Sequence, residues 1–131
     1  MTQVLLTWPQ LVQGADWAWT QSVYSDATGN DPTDLTGWSA YFAVRLGPAD
    51  IYPGAALLTA SSAVGDITYT GPETNQIHIS KLGSAVAAAF VGVPATVSQA
   101  WAELVLVSPL GETDSVARGP IELVRRIVVI P

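Results

Sequence analysis

The stretch from Asp31 to Arg45 constrains the fold more than any other part of the chain. It reads Asp-Pro-Thr-Asp-Leu-Thr-Gly-Trp-Ser-Ala-Tyr-Phe-Ala-Val-Arg and joins a turn signal to a long alternation. Trp38, Ala40, Phe42, Val44 and Leu46 fall on one face, and Ser39, Tyr41, Ala43 and Arg45 on the other. A period of two is what a strand needs when one face packs on a core and the other does not. Leu35 is the apolar anchor expected just before it.

The same pattern recurs along the chain. Val4 to Trp8 is a short apolar strand ended by Pro9, and so apolar a segment must pair into the sheet or dock on a neighbour. Ala15, Trp17, Trp19, Gln21 and Val23 alternate with Asp16, Ala18, Thr20, Ser22 and Tyr24, which predicts a strand over 16–25. Asp26 to Asp34 then supplies turn residues. Gly47 to Gly54 is a second irregular connection and carries Tyr52. Short strands are predicted over 56–60, 67–70 and 76–80, with a hairpin turn at 71–75. The run from Leu82 to Val91 breaks the alternation with good helix formers and predicts a helical turn or two, ended by Gly92. A strand over 100–107 turns back at Pro109 to Glu112. Residues 116–130 finish the chain as one interrupted strand, with Gly119-Pro120 a bulge or edge position.

About seven to nine short strands at regular spacing predict an all-β, antiparallel β-sandwich with one short helix near residues 82–91. No strand is followed by a helix of crossover length, so a parallel sheet is not expected. At 131 residues the chain is long enough for one domain with a real core, spanning 1–131.

Composition narrows the function. There is no cysteine and one histidine, His78, which removes thiolate metal sites and most nucleophile chemistry. A net charge of −6 argues against a nucleic-acid groove, which needs clustered Lys and Arg. No run of about 18 apolar residues is present to span a membrane, and the N-terminus lacks a signal-peptide pattern. Only 12% of residues are charged, so the surface must expose neutral or apolar area.

Candidate chemistry is thin. Asp26, Asn30, Asp31 and Asp34 offer oxygen ligands, but their spacing fits no calcium loop and Pro32 interrupts it, so capping of local amides is expected. His78 lies between Ile77 and Ile79 and points opposite to them, with no further ligand spaced for a metal. Ser61, Ser62, Ser80 and Ser84 lack a nucleophile context, and Glu103, Glu112 and Glu122 sit on or near different strands. No catalytic residue, metal or cofactor is assigned, and the chain is not expected to be an enzyme.

Binding surfaces are better supported. Trp17 and Trp19 share a face, as do Trp38 and Phe42, and these sets suit the two halves of a sandwich core. If Ala102, Leu104 and Leu106 face inward, Trp101, Glu103, Val105 and Val107 form an unusually apolar outer face; the opposite register makes Trp101 core. The apolar segments 1–13 and 123–131 are candidate docking pieces, with Arg125 and Arg126 able to meet acidic groups. The candidate interface residues are therefore Trp8, Tyr41, Arg45, Tyr52, Trp101, Val105, Arg125 and Arg126. Five tryptophans also admit a carbohydrate-binding module, in which aromatic faces stack on sugars.

The ordered parts carry one resemblance. Gln13-Gly14 and an aromatic strand precede Asp34-Leu35-Thr36-Gly37 and the strand ending in Val44-Arg45. Gln76-Ile77-His78-Ile79, an Ala-rich helix and the strand from Trp101 follow, and Ala117-Arg118-Gly119-Pro120-Ile121-Glu122-Leu123 leads the last strand. From about Gln13 to Val129 this resembles the immunoglobulin-like N-terminal domain of phage baseplate upper proteins and related small phage tail proteins. The Gly47 to Gly54 connection and Trp101 depart from that pattern. The resemblance implies an immunoglobulin-like sandwich acting as a non-catalytic adaptor in a phage or prophage virion, made in the host cytoplasm. It implies other virion proteins as partners and several symmetric copies. A capsid decoration or neck protein is the alternative within that class, and a module for a host glycan is the alternative outside it.

Overall fold

The alternations fold into two facing sheets. The structure, a computed structural model, describes residues 4–5, 8–25, 29–47 and 56–126. In chain order the elements are β1 (Val4–Leu5), β2 (Leu11–Val12), β3 (Trp17–Ser22), β4 (Ser39–Arg45), β5 (Leu58–Ser61), β6 (Ile67–Thr70), β7 (Gln76–Lys81), α1 (Gly83–Ala89), β8 (Gln99–Val107) and β9 (Thr113–Val124). The larger sheet has six strands in the order β1-β9-β8-β4-β5, with β2 also laid along β9, and the smaller has the order β3-β7-β6. The result is the all-β sandwich with one short helix that the sequence predicts.

Period-two burial explains both faces of each layer. On β4, Ala40, Phe42 and Val44 are buried while Tyr41 is exposed; on β8, Ala100, Ala102, Leu104 and Leu106 are buried. The smaller sheet answers with Trp17, Ile67, Ile77 and Ile79. Five of the larger sheet's inward residues are alanines (Ala40, Ala60, Ala100, Ala102 and Ala117), which leaves room for the bulky rings that face them. Trp17 stacks on Phe42 with ring centroids 5.2 Å apart. Trp38, placed by its parity on the core face, is only half-buried at the strand's start.

Four local expectations need correcting. The strand predicted over 16–25 stops at Ser22, and an isolated bridge between Tyr24 and Pro32 closes the loop instead. Residues 113–124 form one continuous strand; Gly119 and Pro120 keep register opposite Ala102 and Trp101, and the shift lies between Leu104 and Val105, with Val116 the extra residue. Proline is tolerated there because its carbonyl faces the N-terminal segment, accepting from the Trp8 amide at 3.2 Å, so the missing N–H is not a β8 bond. The sandwich is not wholly antiparallel either: β1 and β2 both run parallel to β9, with Val4 opposite Ala117 and Leu11 opposite Leu123. Finally, of the two fates expected for 1–13, the described part takes the first and pairs into the sheet, so Trp8 is not a docking residue.

Trp8 shows why. Expected at a docking surface, it is 2% exposed. Its ring sits 4.6 Å from Trp19, 5.2 Å from Phe42 and 6.3 Å from Trp17, centroid to centroid. The chain between β1 and β2 thus drops an indole between the sheets. Trp17 Nε1 in turn donates to the Pro9 carbonyl at 3.0 Å.

The helix is held by a contact far away in sequence. Gly83 N donates to Asp16 Oδ1 at 2.6 Å, which satisfies an amide at the start of α1. A Cβ on Gly83 would lie 2.4 Å from the Gly14 carbonyl oxygen, so only glycine fits.

Candidate interaction face of the larger sheet

Strand pairing places four of the predicted interface residues together. Tyr41 is opposite Val105 and Arg45 is opposite Trp101 in the β4–β8 register, all on the outward face. Tyr41 is 50% exposed and Trp101 46%, so the register that buries Trp101 is excluded. The two aromatic rings stand four residues apart along the sheet, roughly 13 Å at 3.4 Å per residue. Between them lie Ala43 and Glu103, also directly opposite each other. Arg118 continues that row on β9, and Pro120 continues the row of Arg45 and Trp101.

Glu103 is fixed at the centre of this face by a 2.6 Å hydrogen bond from Ser115 Oγ. Beside it runs a shallow groove of about 370 Å³, lined among others by Tyr41, Thr59, Val64, Asp66, Glu103 and Val105. Asp66 is already engaged by Lys81 at 3.0 Å. The groove is therefore an apolar trough with one carboxylate on its floor and an ion pair at its rim. Val64 and Asp66 come from the turn that carries the chain from one sheet to the other. Nothing local in the sequence marks them as neighbours of Tyr41, since the crossover alone brings them there.

The remaining predicted residues lie elsewhere. Arg125 is turned inward: Nη1 donates to the Val97 carbonyl at 2.7 Å, Nη2 to the Pro94 carbonyl at 2.8 Å, and the guanidinium lies 5.7 Å from the centroid of Phe90. It clamps the segment after α1 onto the end of β9, so its charge is used within the chain. Arg126 is half-buried, and its amide donates to Gln13 Oε1 at 3.2 Å. Tyr52 and residues 127–131 of the C-terminal segment lie outside the described residues.

The acid loop behaves as turn chemistry. Asp34 Oδ1 accepts from Thr36 Oγ1 at 2.7 Å and Thr36 N at 3.0 Å, and these two bonds hold its carboxyl below the ordinary range. Ser25 Oγ donates to Asp31 Oδ2, while Asp26 lies outside the described residues. His78 Nδ1 shares a 2.8 Å hydrogen bond with Thr20 Oγ1 on the outer side of the smaller sheet. Tyr69 donates to the Trp38 carbonyl at 2.8 Å, and burial pushes its phenol up. Among the described residues no group of three His, Cys, Asp or Glu side chains is placed to hold a metal, and no helix is long and apolar enough to cross a membrane.

Neither the models of known protein families nor the curated proteins contain a match to this chain.

Proposed function

We propose that this chain is a non-catalytic adaptor that binds another protein through the outer face of its larger sheet. The observation that carries this is that Trp101 and Tyr41, each about half exposed, share one outward face, with Val105 directly opposite Tyr41 and the Ala43–Glu103 pair between the two rings. Large aromatic rings left half exposed on a sheet face are the residue type that interface hot spots are enriched in. Glu103 and Arg118 then give register and orientation rather than bulk affinity. The resemblance to small phage tail and baseplate proteins supports placing that adaptor in a virion, between larger structural proteins and in several copies.

Co-expression with the proteins encoded beside it tests the reading. A complex is expected, and Trp101→Ala should weaken it by about 2 kcal/mol, a roughly 30-fold rise in Kd. A complex indifferent to both Trp101→Ala and Tyr41→Ser refutes the assigned face.

The same geometry favours a second reading. Two exposed aromatics on a flat sheet, beside a groove with a carboxylate, also suit stacking on a sugar ring. Titration with oligosaccharides separates the two: a shift in tryptophan emission that disappears in Trp101→Ala selects glycan binding, and a flat response across a broad panel removes it.

A further inference from the structure

We propose that β3 is a homotypic contact, at which two copies of this chain pair their β3 strands antiparallel across a twofold axis and join their smaller sheets into one. Among the described residues the strand lies at the edge of its sheet and pairs only with β7. The Val23 amide donates to the Asn75 carbonyl at 2.8 Å, continuing the β3–β7 register. Antiparallel pairs alternate between bonded and non-bonded, so Trp17, Trp19 and Gln21 also spend their backbone groups on β7. Ala18, Thr20 and Ser22 then aim N–H and C=O at the open edge. The Ser22 carbonyl already accepts from Gln21 Nε2 at 3.2 Å. Among the described residues nothing reaches the backbone groups of Ala18 and Thr20.

Exposed edges are normally blunted by a charge, a proline, a bulge or short length. The six residues Trp-Ala-Trp-Thr-Gln-Ser of β3 have no charge and no proline, and the register with β7 runs through without a shift. The other edge strands among the described residues are shorter: β5 and β6 have four residues each, and β1 and β2, which lie outside β9, two each.

A second copy is the occupant that fits. On a chain of net charge −6, an uncharged edge is where two copies approach with least repulsion. Pleating allows only residues of like facing to be opposed. An axis through Trp19 sets Trp19 against its symmetry mate and Ala18 against Thr20 of the second copy, twice. Those are the residues with open backbone groups. An axis through Thr20 needs the Ser22 carbonyl, which Gln21 occupies. The Trp19 ring, half-buried and packed on Trp8, gains an aromatic partner at the closest-spaced kind of pair. This surface is separate from the outer face of the larger sheet, so the contact stands or falls independently of the adaptor reading.

Sedimentation equilibrium of the full chain tests it. The mass should climb from 13.7 kDa toward twice that as concentration rises. Ala18→Lys with Thr20→Lys opposes like charges and should weaken the dimer about tenfold, whereas Ala18→Lys with Thr20→Glu opposes unlike charges and should restore it. Both pairs remove the Thr20 hydroxyl that bonds His78. The chain has no cysteine, so a mixture of the Ala18→Cys and Thr20→Cys proteins should form an interchain disulfide that neither forms alone. A chain monomeric at every concentration, a dimer that both charge pairs leave unchanged, or disulfides no more abundant in the mixture overturns the proposal. The cysteine mixture decides the matter even if a lysine variant fails to fold.

Discussion

Replacing Trp8 with alanine tests how the two sheets are held together, because the same substitution at Trp101 provides a control. Trp8 is buried against Trp17, Trp19 and Phe42, and its backbone ties the segment before β2 to Pro120. Removing a buried tryptophan costs about 3–5 kcal/mol, from lost transfer energy and the cavity left behind. One term offsets this: Trp8 Nε1 is buried without a hydrogen-bond partner among the described residues, and deleting it relieves a desolvation penalty of about 1 kcal/mol or more. We therefore expect Trp8→Ala to cost about 3 kcal/mol, and Trp8→Phe about 1 kcal/mol because the ring is kept and the unpaired N–H removed. For a chain of this length about 3 kcal/mol lowers Tm by roughly 10–15 °C. Trp101→Ala, at a half-exposed site, should fall within about 1 kcal/mol of the parent. Urea unfolding followed by far-UV circular dichroism measures all three without relying on tryptophan emission. Equal costs at Trp8 and Trp101, or a Trp8→Ala cost under about 1 kcal/mol, would show that the indole is not the wedge described.

Other perturbations probe the ends of the sandwich. Gly83→Ala should destabilise by about 1–3 kcal/mol despite alanine's better helix propensity, because its Cβ meets the Gly14 carbonyl; a stabilised variant in thermal melts would contradict that contact. Arg125→Ala should cost about 1–2 kcal/mol through the two lost carbonyl bonds, and hydrogen exchange should quicken over 90–98 while the sheet interior stays protected. Tyr69, whose phenol is raised by burial, favours the neutral folded state: its contribution is full below the ordinary value of 10.0 and is lost as pH rises through the higher folded value. Melting temperature should thus fall more steeply above pH 10 in the parent than in Tyr69→Phe.

Strand identity was legible wherever alternation was long. Residues 67–70 match the predicted bounds, whereas the outward set Trp101, Glu103, Val105 was one of two registers the sequence left open, and exposure decides between them. What escaped depends on contacts remote in sequence. No local pattern distinguishes a terminal tryptophan that docks on a partner from one that turns back between its own sheets, as Trp8 does. Arg125 reads as a free cation until the chain after α1 brings two carbonyls beneath it. The register shift at Val116 carries no Gly or Pro signal, whereas Gly119-Pro120 carries both and stays in register. The candidate face was half visible: Tyr41, Arg45, Trp101 and Val105 could be named singly, but only strand order shows that they adjoin.

The parallel placement of β1 and β2 along β9 has a mechanical consequence. Tension that draws the start of β1 and the far end of β9 in opposite directions runs along those strands, not across them. The bonds of both short pairs, and the Trp8 wedge between them, are then loaded together in shear instead of being peeled one at a time. In such a pull the domain resists as a unit and yields abruptly.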